Sequence, residues 1–125
     1  MNKYIMVIDD SPTIRVSVEF AIKSLGFPVQ QAENGIDALS KIKKIKEEGN
    51  DVQLCVCDVN MPEMDGITFI KEFRTIDKFT PVIVLTTESE EGKIQQGKEA
   101  GASGWIIKPF QPNELVEVVK KFVRA

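Results

Sequence analysis

Residues 54–62 read Leu-Cys-Val-Cys-Asp-Val-Asn-Met-Pro, an apolar run that ends in a carboxylate and then enters a loop. The run is typical of a buried strand, and Asn60 and Pro62 mark the loop that follows Asp58. Open α/β sheets carry their functional groups at the carboxyl ends of the strands. The stretch therefore predicts a site at Asp58, to which other strands must bring partner groups.

Strand and helix patterns alternate along the rest of the chain. Strands are predicted over residues 4–9, 28–32, 53–58, 81–86 and 104–107, with 28–32 nearest an edge because its apolar content is lowest. Helices are predicted over 12–25, 36–48, 67–76, 90–100 and 113–123. This alternation predicts one α/β domain over residues 1–125, with a parallel sheet, helices on both faces and no output domain.

Each of four helices has an apolar face that is predicted to point inward. These faces comprise Ile14, Val18, Ala21, Ile22 and Leu25; Ile36, Leu39, Ile42 and Ile45; Ile67, Phe69, Ile70 and Phe73; and Leu115, Val118, Val119 and Phe122. The lysines at 41, 43, 44 and 46 are predicted to form a solvated outer face. Val116 and Val123 widen the last apolar face, which is consistent with either a broader core contact or a partner surface.

Composition excludes several classes of function. The chain has 16 Lys and Arg against 19 Asp and Glu, a net charge of −3, so nucleic acid is not expected as a partner. No apolar run approaches the roughly 20 residues of a membrane span, and none has the form of a signal peptide. We therefore expect a cytoplasmic protein with no membrane partner.

The chain has two cysteines and no histidine. Cys55 and Cys57 alternate along one strand, so they are expected to be buried small apolar residues rather than a disulfide or a metal site. Without histidine, the chemistry must depend on carboxylates, hydroxyls and amines.

Polar groups follow four of the predicted strands, and all of them are expected at one edge of the sheet. They are Asp9 and Asp10, Asp58, Thr86 with Thr87, and Lys108. Clustered carboxylates repel one another, which a divalent cation relieves, and all-oxygen ligation suits Mg²⁺. A backbone carbonyl after Asp58, such as that of Asn60, could add a neutral ligand.

Such a site suits phosphoryl transfer. Mg²⁺ and Lys108 would neutralise phosphoryl oxygens, and the Thr86 hydroxyl would donate a hydrogen bond to one of them. An ionised Asp58 can act as the nucleophile without a general base.

These motifs resemble those of response-regulator receiver domains, and among them the stand-alone CheY-type chemotaxis regulators. The resemblance covers essentially the whole chain and rests on Val7–Ser11, Cys57–Gly66, Leu85–Glu88 and Gly101–Phe110. It implies a flavodoxin-like doubly wound (βα)5 fold with strand order 2-1-3-4-5, of which CheY is a standard example.

The resemblance also implies a role for each site residue. Asp58 is similar to the phospho-acceptor; Asp10, Asp58 and the Asn60 carbonyl to the Mg²⁺ ligands; and Asp9 to a carboxylate acting through metal-bound water. Thr86 corresponds to the switch hydroxyl and Trp105 to the switch aromatic, Lys108 to the active-site lysine, and Lys108–Pro109 to a cis peptide bond. The side chains of Asn60 and Glu88 are expected to tune hydrolysis.

Two positions depart from the family pattern, and both concern output. Trp105 stands where the family usually has Tyr or Phe, and Thr87 where a small residue is common. The helix after strand four, which contains Gly92 and Gly97, is expected to move on phosphorylation.

The implied function is that of a two-component response regulator that takes a phosphoryl group from a sensor histidine kinase. It would catalyse only its own phosphorylation and dephosphorylation, and would act as a monomer on a downstream protein. Candidate partners are a flagellar motor switch protein and a phosphatase, and a phosphorelay intermediate is the alternative role. An Asp-nucleophile phosphatase is disfavoured because Asn60 replaces the second aspartate it needs, and a flavin carrier because Asp9 and Asp10 would repel the flavin phosphate.

Overall fold

The computed structural model describes residues 1–87 and 91–123. Its strands are β1 (Lys3–Ile8), β2 (Val29–Ala32), β3 (Asp51–Asp58), β4 (Val82–Thr87) and β5 (Gly104–Lys108). Its helices are α1 (Pro12–Ile22), α2 (Gly35–Glu47), α3 (Gly66–Ile76), α4 (Glu91–Ala100) and α5 (Pro112–Lys120). The strands form a parallel sheet in the order β2-β1-β3-β4-β5. The flavodoxin-like α/β fold and its strand order are thus confirmed.

Alternate side chains of the central strands enter two separate cores. Met6, Ile8, Cys55 and Cys57 face α2 and α3, whereas the intervening residues of β1 and β3 face α1 and α5. Both cysteines are buried and free, as expected. Because both faces are covered, the strands read as continuous apolar runs, and the five carboxyl ends meet at one exposed edge.

Side-chain caps fix where three helices begin. Ser11 accepts a hydrogen bond from the Ile14 amide, Asn34 from Asp37 and Asp65 from Thr68. Each cap lies in the loop after a strand, so each helix starts just beyond the carboxyl edge of the sheet. The amino ends of α1, α2 and α3 therefore surround the predicted site.

Two helix ends differ from the sequence-based prediction by more than one residue. The helix expected over 12–25 is α-helical only to Ile22, and Lys23–Leu25 form a tighter 3₁₀ turn that ends at Gly26 with a positive φ of 82°. The last helix ends at Lys120 rather than 123, and Phe122 and Val123 pack on the core from a turn. Apolar spacing persists through such a turn, so it could not mark either end.

The inward face predicted for the second helix was wrong at Ile36, which is 50% exposed. The buried side of α2 runs through Ala38, Ile42 and Ile45. At about 100° per residue, Ile36 lies on the opposite side of the helix from these three. Because alanine is only weakly apolar, Ala38 did not move the predicted inward face of the helix to the side that is buried.

The four lysines of α2 do not all form a solvated face. Lys43 and Lys44 are exposed, but Lys46 pairs with Asp51 at 3.0 Å and with Asp77 at 3.3 Å. Lys41 donates to the Gln31 carbonyl at 2.6 Å. The prediction was therefore wrong for two of the four, since these long side chains reach back to the sheet and to the loop beyond α3. None of the helices in the described part of the chain is long and apolar enough to span a membrane.

Candidate phosphoryl-acceptor and metal site

The three predicted carboxylates meet at the carboxyl edge of β1 and β3. Asp9 and Asp58 are buried and Asp10 is exposed, and oxygen atoms from all three lie within 4.8 Å of one another. They arrive together because β1 pairs with β3 in parallel, with Ile8 opposite Cys57. The cluster therefore comes from sheet register, which joins positions almost fifty residues apart.

Lys108 completes the cluster from the end of β5. Its Nζ donates to Asp58 Oδ1 at 3.0 Å and to Asp9 Oδ2 at 3.3 Å. The peptide bond that follows it, to Pro109, is cis. The single Lys108 ammonium thus contacts two buried carboxylates, and the exposed Asp10 adds a third negative charge at the edge of the cluster.

The surroundings shift two pKa values at this site. Burial raises the pKa of Asp58 above its ordinary value, the Lys108 hydrogen bond acts in the opposite direction, and the charge of Asp9 raises it further. Burial by itself lowers the pKa of the Lys108 ammonium, but the hydrogen bond and charge of Asp58 outweigh this, so that pKa is raised. Lys108 is therefore held protonated, and the excess of negative charge favours a bound cation.

The donor set fits Mg²⁺. Three carboxylates supply hard oxygen ligands, and no histidine or thiolate competes, because the chain lacks histidine and burial raises the pKa of both cysteines. The exposed Asp10 and Asn60 leave one side of the cluster open to water. A cation that keeps several of its own waters can thus be held there.

The loop after Asp58 is fixed by close backbone contacts. A Cβ at Gly66 would lie 2.2 Å from the Asp58 carbonyl oxygen, and the Gly66 amide donates to the Val59 carbonyl at 2.9 Å. Glu63, within this loop, has a positive φ of 65°. In the sequence, Gly66 was noted only as the last residue of the Cys57–Gly66 motif, and a glycine closing a loop that starts at a site carboxylate was the available signal for its contact.

The two switch residues of the prediction lie on neighbouring strands. Thr86 on β4 is fully buried, and its hydroxyl donates to the Thr87 carbonyl at 3.4 Å. Trp105 on β5 is 41% exposed, with Lys98 Nζ of α4 at 4.3 Å from its ring centroid. The indole therefore faces outward beside α4. Glu88, expected to tune hydrolysis, lies outside the described residues.

A doubly wound parallel sheet with three carboxylates and a lysine at its carboxyl edge defines a receiver-type regulatory domain. The model of the response regulator receiver domain matches residues 5–120, and the chain belongs to this family. It is 34% identical to the chemotaxis protein CheY of Thermotoga maritima over 122 residues, covering 97% of this chain and 98% of that protein. It is equally 34% identical to sporulation initiation phosphotransferase F of Bacillus subtilis over 123 residues, covering 98% and 95% respectively.

The solved structures agree with this fold. Chemotaxis protein CheY4 of Vibrio cholerae superposes with a TM-score of 0.87 at 36% identity, covering 98% of this chain and all of that one. The receiver domain of DrrB, solved in a BeF₃-activated form, superposes with a TM-score of 0.82 at 30% identity, covering 98% and 97%.

Proposed function

We propose that this receiver domain accepts a phosphoryl group on Asp58, in a Mg²⁺-dependent reaction, from a phosphohistidine of a sensor kinase. The observation that carries the proposal is the contact of Lys108 Nζ with Asp58 Oδ1 at 3.0 Å, beside two further carboxylates within 4.8 Å. Asp58 is both buried beside a cation and reachable from the open side of the cluster.

In the proposed reaction, an Asp58 oxygen forms a bond to phosphorus as the phosphorus–nitrogen bond to the donor imidazole breaks. Lys108 holds the Asp58 carboxylate in place and neutralises charge on the phosphoryl oxygens. Asp10, Asp58 and the Asn60 carbonyl would hold Mg²⁺, with the Asp9 carboxylate beside them, and the ion would supply further charge neutralisation. The Thr86 hydroxyl then hydrogen-bonds the phosphoryl group, and the Asn60 and Glu88 side chains tune its hydrolysis.

Incubation with acetyl phosphate and Mg²⁺ tests the proposal. The wild type should gain one phosphoryl mass, and Asp58→Asn should gain none. Asp51→Asn is the matched control, because Asp51 lies at the opposite end of the same strand and should leave phosphorylation unchanged. Phosphorylation of Asp58→Asn to the wild-type extent would refute the assignment. The protein should not turn over p-nitrophenyl phosphate, since its only proposed reactions are on its own aspartate.

For the output, we propose binding to a downstream protein, with chemotaxis control as the favoured role. Chemotaxis proteins of Thermotoga maritima and Vibrio cholerae are among the similar proteins, which supports this role. The equal identity to sporulation initiation phosphotransferase F keeps a phosphorelay role as the second candidate. Phosphorylation-dependent capture of a flagellar motor switch peptide would support the first, whereas phosphoryl transfer onward to a histidine of another protein would support the second.

The proposed switch couples Thr86 to α4 and Trp105. Because Lys98 of α4 contacts the Trp105 ring, movement of the helix changes the surroundings of the only tryptophan. Beryllofluoride added in the presence of Mg²⁺ should therefore change Trp105 fluorescence and the amide exchange of residues 88–110. Unchanged fluorescence and unchanged exchange would remove the switch from the proposal.

A further inference from the structure

Arg15, on the first turns of α1, is bonded to the backbone that carries the acidic cluster. Its Nη1 donates to the Asp9 carbonyl oxygen at 2.6 Å, and its Nε donates to Gln31 Oε1 on β2 at 3.1 Å. Gln31 Nε2 in turn donates to Glu19 Oε1 of α1 at 2.8 Å. Through Arg15, α1 and β2 are thus hydrogen-bonded to the peptide that joins Asp9 to Asp10.

That peptide decides where Asp10 lies. On its amino side, Asp9 is held through its amide, which donates to the Ala32 carbonyl at 3.1 Å, and through its carboxylate, which accepts from the Ser11 amide at 2.9 Å and from Lys108. The Asp10 carboxylate has no hydrogen bond or ion pair to another side chain or amide within residues 1–87 and 91–123. Its position therefore depends on the peptide that Arg15 holds.

The Arg15 guanidinium donates to the Asp9 carbonyl and to Gln31 and does not form an ion pair with a nearby carboxylate among the described residues. Arg15, Glu33 and Asp37 line one surface pocket of about 410 Å³. In the part of the chain that the structure describes, Arg15 forms an ion pair with neither Glu33 nor Asp37. A planar guanidinium can donate to a carbonyl and to an amide oxygen at once, and a lysine ammonium lacks that fixed geometry.

We propose that Arg15 is a positioning residue for the acidic site, setting the affinity for Mg²⁺ by fixing the Asp9–Asp10 peptide. The inference rests on the proposed function, because it assumes that these carboxylates bind the metal. Residues that orient metal ligands typically change metal affinity by roughly 10- to 100-fold when they are lost. We expect Arg15→Gln to raise the Mg²⁺ dissociation constant by about tenfold, at the lower end of that range.

A purely electrostatic role predicts the opposite sign. Arg15 is a cation near the cluster, so removal of its charge alone would tighten Mg²⁺ binding. A purely structural role predicts a lower melting temperature with an unchanged dissociation constant. The direction of the change in Mg²⁺ affinity therefore separates the three explanations.

Arg74→Gln is the matched control. Arg74 also donates to backbone carbonyls, at 2.8 and 3.2 Å to Gly101 and at 3.1 Å to Asp77, but it lies in the last turn of α3, at the opposite edge of the sheet. The variant has the same change of charge and the same kind of lost contact. It should be destabilised without a change in Mg²⁺ affinity.

The experiment measures Mg²⁺ binding by calorimetry at constant ionic strength, with thermal unfolding of the metal-free proteins alongside. Gln31→Met removes the hydrogen-bond partner of Arg15 Nε and keeps the Arg15 charge. It should weaken Mg²⁺ binding, as Arg15→Gln should. It also replaces Arg15→Gln in the test if that variant does not fold. With acetyl phosphate, Arg15→Gln should need more Mg²⁺ for half-maximal phosphorylation and regain most of the wild-type rate at saturation.

Unchanged or tighter Mg²⁺ binding in both Arg15→Gln and Gln31→Met would overturn the proposal. Weakening of Mg²⁺ binding in Arg74→Gln by as much as in Arg15→Gln would overturn it too. A wild type that binds no Mg²⁺ would overturn it as well. A wild type that binds Mg²⁺ but is not phosphorylated would instead refute the proposed function, and the positioning role of Arg15 would then still be decided by the binding measurement.

Discussion

At the residue scale, the site depends on a backbone contact that no side chain larger than hydrogen permits. A methyl group at Gly66 would approach the Asp58 carbonyl to 2.2 Å and the Val59 Cα to 3.0 Å, and both of these are backbone atoms that cannot rotate away. The loop that follows Asp58 and the first turn of α3 are therefore packed backbone to backbone.

Gly66→Ala should consequently destabilise the fold by about 1–3 kcal/mol, the usual cost of overpacking, and displace the Asp58 loop. Urea unfolding would measure the loss. Gly97→Ala is the control, because that glycine is also buried in a helix but its added Cβ would meet nothing closer than 3.6 Å. Equal stability of Gly66→Ala and wild type would show that the loop can shift at no cost.

Asp77, in the loop after α3, provides a pH-dependent contribution to stability. Burial alone would raise the pKa of this carboxyl, but hydrogen bonds from the Thr80 hydroxyl, the Thr80 and Phe79 amides and Lys46 outweigh burial and lower it. A lowered folded-state pKa means that the stabilisation is present above the ordinary value of 3.8 and is lost as the pH falls through the folded-state value.

Asp77→Asn should therefore reduce the free energy of unfolding by about 1–3 kcal/mol at neutral pH, because hydrogen bonds to a charged group are lost. The difference from wild type should shrink as the pH approaches the acid range. Asp51→Asn, which shares Lys46 but is half exposed, should lose less at neutral pH. A difference that stays constant with pH would contradict the assignment of the lowered pKa to Asp77.

The residue scale also shows what the sequence could and could not predict. Asp9, Asp58, Thr86 and Lys108 were predicted as site residues because each follows an apolar strand, and parallel strands end at one edge. Arg15 and Gly66 were missed as contributors to the site. Both act on backbone atoms. The Arg15 contact to a carbonyl oxygen leaves no pattern in residue type or spacing, whereas for Gly66 the glycine itself was the available signal.

At the element scale, α4 contains two glycines, Gly92 and Gly97, and it is the helix that follows β4, the strand that carries Thr86. Gly97 is buried against Ile67 and Val84, with room for a methyl group at 3.6 and 3.7 Å. Gly92 faces open space. A helix that has room for better helix-forming residues but does not carry them is suited to local movement.

Gly97→Ala should stabilise the protein by about 1 kcal/mol, because alanine has the higher helix propensity and adds apolar contacts. The same change should reduce the difference that beryllofluoride makes to amide exchange in α4. Gly92→Ala tests propensity without new packing and should stabilise less. Destabilisation by Gly97→Ala, measured by urea unfolding, would show that α4 is already close-packed at this position.

The elements themselves were largely predictable, and their limits were not. Strand and helix periodicity differ so clearly that the five strands, the five α-helices and their order were predicted from the sequence, whereas the 3₁₀ turn over Lys23–Leu25 was not. Ile36 was placed on the wrong face because alanine gives only a weak apolar signal for the buried side of α2. The early end of α5 was missed because the apolar spacing continues through the turn that carries Phe122 and Val123.

At the scale of the whole molecule, the acidic site reduces stability in the absence of metal. Two buried carboxylates share one lysine, and the pKa of Asp58 is raised, so the folded state bears a cost for keeping Asp58 ionised at neutral pH. A cation that binds only the folded state offsets this cost.

Mg²⁺ at about 100 times its dissociation constant should therefore increase the free energy of unfolding by about 2.7 kcal/mol. Thermal unfolding with and without Mg²⁺ measures the effect, and Asp58→Asn should gain much less because a ligand is lost. Similar gains in wild type and variant would indicate that Mg²⁺ binds elsewhere or nonspecifically.

The central claim is that Asp58, rather than either neighbouring aspartate, receives the phosphoryl group. Borohydride reduces an acyl phosphate of aspartate to homoserine, so treatment of the phosphorylated protein marks the acceptor permanently. Peptide mass mapping after reaction with acetyl phosphate and Mg²⁺ should find homoserine at position 58 alone. Homoserine at position 9 or 10, or at no position in a protein that has gained the phosphoryl mass, would contradict the account.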